Sequence, residues 1–136
     1  MSMVVDTCVI IDVLDNRSPL SIASAKVLDK HADDGLLIAP ISYVELAPAF
    51  LGDENRERDF LLDLGIELPP LIDNTDLSAA HAAWYRHILH KRQGKAVRRP
   101  IADVMIGALA SVNDGLITRN AKDFRALFPK LHIVTP

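Results

Sequence analysis

The chain has 136 residues, 49% of them hydrophobic and 24% charged, with a formal net charge of −3. That is enough apolar surface for one compact domain without staples, and the slightly acidic balance by itself argues against a nucleic-acid partner. The single cysteine, Cys8, excludes an internal disulfide and fits a reducing cytoplasm, and neither a basic leader nor an apolar run of bilayer length is visible.

Met3-Val4-Val5 reads as a buried strand running into Asp6, after which Val9, Ile10, Val13 and Leu14 mark a short helix. Asp6 thus stands at the carboxyl end of a strand, where ligands gather in open α/β sheets. Two readings fit it: a helix N-cap, which contributes about 1 kcal/mol, or a site carboxylate. Cys8 reads as a small buried apolar residue. Beyond a turn from Asp15 to Pro19, Ser21 is placed to cap a helix carrying Ile22, Ala25, Val27, Leu28 and Ala32, which Asp33-Asp34-Gly35 stops. Leu36 to Ala39 is a second buried strand, parallel to the first and ended by Pro40.

Ser42-Tyr43-Val44-Glu45 matches a capping box, in which Ser42 caps a helix and Glu45 reaches back to the Ser42 N–H. The alternative brings Glu45 to the sheet edge that carries Asp6. Gly52 and Asp53 precede a helix with Phe60, Leu61, Leu62 and Leu64 apolar and Glu54, Arg56, Glu57, Arg58, Asp59 and Asp63 on a solvent side. Gly65 closes it, and Ile66-Glu67-Leu68 before two prolines is a short edge strand. Leu77 to Gln93 is spaced as a long helix, with Leu77, Ala80, His81, Trp84 and Ile88 facing the core. His87 and His90 stand one turn apart, but no cysteine or acid in that segment completes a zinc site.

Between Asp76 and Asp103 there is no acid, while Arg86, Lys91, Arg92, Lys95, Arg98 and Arg99 concentrate a basic surface suited to phosphate. Pro100 then opens a helix, Ile101 to Ala110, that is apolar on every face apart from Asp103. Such a helix is buried, and a carboxylate in or beside the core needs a partner or a metal. Asn113-Asp114-Gly115 is a turn and Leu116-Ile117-Thr118 a strand. Asn120 begins a final helix with Asp123 three residues in, positions that also suit a plain cap and a favourable first-turn charge. His132-Ile133-Val134 is a last strand.

Strands alternating with helices imply a single three-layer α/β/α domain over residues 1–136, with a mostly parallel sheet of about five strands. With the first strand central, Asp6, Glu45 and the Thr118 segment converge. Clustered acids repel and raise one another's pKa, so they call for a hard cation bound through oxygen, Mg²⁺ or Mn²⁺. The chemistry that such a site implies is phosphodiester hydrolysis.

Val5-Asp6-Thr7, Ser42 to Glu45, Arg99-Pro100-Ile101-Ala102-Asp103 with its Ile-Gly-Ala-Leu-Ala continuation, and Thr118-Arg119-Asn120 with Asp123-Phe124 together resemble the PIN-domain nucleases, in particular the VapC-type toxins of toxin–antitoxin pairs. The resemblance covers essentially the whole chain. It implies a Mg²⁺- or Mn²⁺-dependent endoribonuclease acting on RNA in the cytoplasm, a small VapB-type antitoxin as partner, and a homodimer, to which Phe60 to Leu64 could contribute. Asp6, Glu45 and Asp103 match the family's metal-binding acids. Asn120 stands where many relatives carry Asp, so either it or Asp123 completes the set.

In the roles that follow, Asp6 and Asp103 hold the main metal and Glu45 orients or deprotonates the attacking water. Thr7, Thr118 and Asn120 support the site, with Thr118 able to bond a ligand or phosphate. Arg98, Arg99 and Arg119 are candidate RNA phosphate contacts, because a forked guanidinium suits that task. A catalytically silent PIN-like domain that binds RNA or a protein is the rival. A haloacid-dehalogenase-like phosphatase would need a second Asp where this chain has Cys8.

Overall fold

The computed structural model describes residues 2–68, 78–83, 85, 89 and 101–136. Trp84, Arg86, His87, Ile88, His90, Arg98 and Arg99, on which several of the sequence expectations fall, lie outside the described residues.

Five short strands are described: β1 (Met3–Val5), β2 (Leu36–Leu37), β3 (Ile66–Glu67), β4 (Gly115–Ile117) and β5 (Ile133–Val134). They form one sheet of order β3-β2-β1-β4-β5, with every pairing parallel. β1 and β4 are buried along their whole length, as expected of strands covered on both faces, whereas edge strand β3 buries Ile66 and exposes Glu67. The expected central position of β1 and edge position of β3 are both observed. The chain winds outward from β1 through β2 to β3, then restarts on the other side with β4, so β1 and β4 flank the point where the winding reverses. In sheets of this kind, that is where a crevice opens beyond the carboxyl ends of the strands.

The helices are α1 (Thr7–Leu14), α2 (Ser21–His31), α3 (Pro40–Glu45), α4 (Glu54–Asp63), α5, described over 78–83, α6 (Ile101–Ser111) and α7 (Ala121–Leu127). Successive strand residues point to opposite faces and build two cores. Met3, Val5 and Ile117 join Val9, Ile10, Leu28 and Leu61 from α1, α2 and α4. Val4 and Leu116 join Ile106, Leu109, Ala110 and Phe124 from α6 and α7. Helices therefore cover both faces of the sheet, as a three-layer α/β/α domain requires.

Gly115 starts β4 at φ 149, and a Cβ there would lie 2.6 Å from the His132 carbonyl oxygen, so the close approach of β4 to β5 requires glycine.

Several local expectations are corrected. Ser21 does not cap α2: the N-cap position is Leu20, and no side chain caps it. Glu57, assigned to the solvent side of α4, is buried, whereas apolar Leu62 is 75% exposed. The helix turns its Glu57–Leu61 stripe, not its run of leucines, toward the sheet. His81 is exposed, because the stripe that packs inward is Ala80 and Ala83, which form a third cluster with Val104, Ala108, Leu127 and Phe128. No helix among the described residues is long and apolar enough to cross a membrane.

Candidate active site

The connections leaving β1 and β4 diverge, β1 into α1 and β4 into α7, which belong to opposite faces of the sheet. Asp6 sits between them. Its N–H still pairs with the Ile117 carbonyl at 2.9 Å, so the carboxylate is fixed by the end of the ladder itself. Asp6 occupies the N-cap position of α1 with extended backbone (φ −69, ψ 148), yet its side chain caps nothing. Instead Thr118 Oγ1 donates to Asp6 Oδ2 at 2.7 Å and Cys8 Sγ donates to the same oxygen at 3.2 Å. Both described donors thus converge on Oδ2, which leaves Oδ1 for another partner. Of the two readings of Asp6, the cap is the one that the geometry rejects.

Thr118 is fully buried, and its hydroxyl also accepts from the Asn120 N–H at 2.9 Å. It therefore orients Asp6 instead of meeting a ligand directly, which corrects the expectation of a phosphate contact. Asn120 is the N-cap residue of α7, but its side chain makes no capping bond.

Cys8 is more than apolar filler. Burial above all, with the neighbouring Asp6 charge adding to it, pushes its thiol up to about 12. The sulfur keeps its proton and acts as a donor, and at neutral pH it is no nucleophile.

Thr7, buried and next to Asp6 in sequence, donates from Oγ1 to Glu45 Oε1 at 3.0 Å. This contact brings Glu45 to the Asp6 edge. The capping box is not formed: Pro40 opens α3 with Ala39 as its N-cap, and the Ser42 N–H bonds the Ala39 carbonyl at 3.0 Å. Proline's preset φ and missing N–H suit that first position and move the N-cap from Ser42 to Ala39, three residues upstream. Ser42 is buried, and its Oγ has no partner among the described residues.

Asp12 was not anticipated from the sequence. It is buried midway along α1 and takes a 2.6 Å bond from Arg119 Nε and a long 3.4 Å bond from Ser24 Oγ. The signal was a lone acid in an apolar helix, the same one that singled out Asp103. Its partner also changes the reading of Arg119, whose guanidinium is engaged within the fold.

The turn after α6 lies at the amino edge of the sheet, where the Asp114 N–H bonds the Ser2 carbonyl, so α6 begins at the opposite, carboxyl edge. Asp103 is in its first turn and half-buried, and Asp123 is in the first turn of α7, which leaves β4 from the same edge. A family model for the PIN domain matches residues 3–127. The chain belongs to the PIN-domain family.

Two solved structures are similar to this PIN domain. One is VapBC-1 from nontypeable Haemophilus influenzae, with a TM-score of 0.70 and 22% identity over 99% of this chain and 98% of that one. The other is VapBC2 from Rickettsia felis bound to a DNA fragment from their promoter, with a TM-score of 0.64 and 16% identity over 99% and 98%. At these identities the likeness is one of fold. No curated protein matches the chain in sequence.

Within the PIN domain, Thr118 bonds Asp6, and Thr7, the chain neighbour of Asp6, bonds Glu45, while Asp103 and Asp123 stand in the first turns of the two helices that start at the same edge. No group of three or more His, Cys, Asp or Glu side chains able to hold a metal is gathered among the described residues. What the edge offers is oxygen: Asp6 Oδ1 and Glu45 Oε2 take no bond from Thr7, Cys8 or Thr118.

Proposed function

We propose that this PIN domain is a Mg²⁺- or Mn²⁺-dependent endoribonuclease that acts as the VapC-type toxin of a toxin–antitoxin pair. The observation that carries the reading is the Asp6 carboxylate, 5% exposed at the β1/β4 switch point and held through one oxygen by neutral donors. Among the described residues no cationic side chain bonds that carboxylate, and a buried carboxylate is expensive unless a cation completes it. The all-oxygen donor set suits a hard divalent ion and not a soft one. Asp6 and Asp103 would hold it, with Glu45 and either Asp123 or Asn120 beside them, and when bound it would supply Lewis acidity toward a phosphodiester.

The chain's own residues do the rest. Thr118 and Cys8 hold Asp6 through Oδ2, and Thr7 fixes Glu45 through Oε1 so that its other oxygen can orient a water molecule and accept its proton. Arg98 and Arg99 are proposed as RNA phosphate contacts. The similar structures are VapBC complexes, which supports a small VapB-type antitoxin as partner. Val44, Leu51 and Leu62 are 69%, 88% and 75% exposed, which supports a second chain, antitoxin or homodimer mate, covering α3, α4 and the turn between them.

The test is cleavage of a mixed tRNA and rRNA pool by antitoxin-free protein in Mg²⁺, in Mn²⁺ and in EDTA. Discrete fragments that need the metal are expected. A folded protein that binds neither ion would favour the silent binding domain, the reading to which Asn120, in place of an acid, points.

A further inference from the structure

We propose that Arg119 and Asp12 form a brace that positions the Thr118–Asp6 pair, and that Arg119 is a positioning residue and not an RNA phosphate contact. The kinetic part of this inference rests on the nuclease reading above. Asp12 is almost wholly buried, and a buried carboxylate needs a strong partner. Ser24 reaches it only at 3.4 Å, whereas Arg119 Nε lies 2.6 Å away, so the guanidinium supplies nearly all of the compensation. Drawing Arg119 Nε away toward a phosphate would strand that charge.

The location of the brace gives it its effect. Residues 118–120 connect β4 to α7 and belong to neither. Thr118 donates to Asp6 and Asn120 N–H bonds Thr118, so this short connection closes the nest around the carboxylate. Arg119 is its middle residue, and its side chain ties the connection to α1. That same helix carries Thr7 and Cys8 directly after Asp6 and has Asp12 farther along it. Asp6 and the partner that orients it are thereby referred to one rigid element.

The experiment compares Asp12→Asn, Arg119→Gln and the double variant, which leaves no unpaired charge and carries the test should a single variant fail to fold. For metal-dependent RNA cleavage, each is expected to lower kcat about 10- to 100-fold, as supporting residues around a metal site do. KM should stay within about twofold, and the double variant should be no worse than the worse single one.

RNA affinity in EDTA should keep its salt dependence in Arg119→Gln. A phosphate contact would instead raise KM, flatten the salt slope by about one, and leave Asp12→Asn with full kcat; that pattern overturns the proposal. Exchange of the Asn120 amide, followed by NMR, tests the brace without activity. Faster exchange in the variants supports it and unchanged exchange overturns it, even if the parent protein cleaves no RNA.

Discussion

Replacing Thr118 with valine removes one hydroxyl and almost no volume, at a residue with no exposed surface. The hydroxyl makes two short bonds, donating to Asp6 Oδ2 at 2.7 Å and accepting from the Asn120 N–H at 2.9 Å, beside a long 3.9 Å contact with Cys8 Sγ. A hydrogen bond to a charged acceptor contributes about 1.5–3 kcal/mol, and a buried charge that loses its donor keeps the desolvation penalty. Asn120 is exposed, so water replaces its lost partner and that bond adds only tenths. The net loss is about 2 kcal/mol, or a Tm lower by roughly 6 °C for a domain of this size. Thr118→Ser keeps both bonds and deletes only a buried methyl, for about 1 kcal/mol. Urea unfolding of the three proteins at pH 7 is therefore expected to rank them wild type, serine, valine. A valine variant as stable as wild type would refute the idea that the Thr118 hydroxyl sustains the buried carboxylate.

Gly107→Ala should destabilise although alanine favours a helix by about 1 kcal/mol, because its Cβ would lie 2.3 Å from a Phe128 ring carbon and overpacking costs about 1–3 kcal/mol; a more stable variant would contradict this packing. Burial, with Glu54 second, holds the Glu57 carboxyl above its ordinary value of 4.5, and its Oε2 has no partner among the described residues. A carboxyl raised on folding favours the protonated state, so its contribution is full below pH 4.5 and is lost as pH rises through the folded value. Glu57→Gln should accordingly stabilise by about 1 kcal/mol at pH 7 and by nothing near pH 4, as read by thermal unfolding at the two values. The Cys8 thiol, pushed up to about 12, should resist disulfide reagents at pH 8 in the native protein and react at once in urea. The same linkage gives a contribution to stability that is present below the thiol's ordinary 9.0 and is lost as pH climbs toward 12.

What could be read in advance was what depends on near neighbours in the chain. The β-branched run ending in Asp6, the alternation of strands and helices and the apolar helix around Asp103 all express local periodicity, and each took its expected place. Contacts that depend on distant pairing were not legible. Arg119 looked like a free guanidinium because Asp12 lies far away in sequence, and only the fold brings the two within 2.6 Å. Asp12 itself interrupts an apolar helix as Asp103 does, so that rule, applied evenly, would have found it.

Where two local signals competed, the stiffer one prevailed. Pro40 set the start of α3 and left the Ser42–Glu45 capping box unformed, which freed Glu45 for Thr7. Cys8 was misjudged for another reason: a small residue type suits a core, but only its neighbour Asp6 makes the thiol a donor.

If the carboxyl edge of β1 and β4 is a metal-dependent nuclease site, RNA cleavage at saturating Mg²⁺ must depend on the Asp103 carboxylate, and the rate of Asp103→Asn decides it. The substitution keeps shape and removes one charge from the first turn of α6. A folded variant whose cleavage falls at least about a hundredfold, beside a wild type that needs the metal, is the predicted result. Metal-dependent cleavage at the wild-type rate by that folded variant would contradict the assignment.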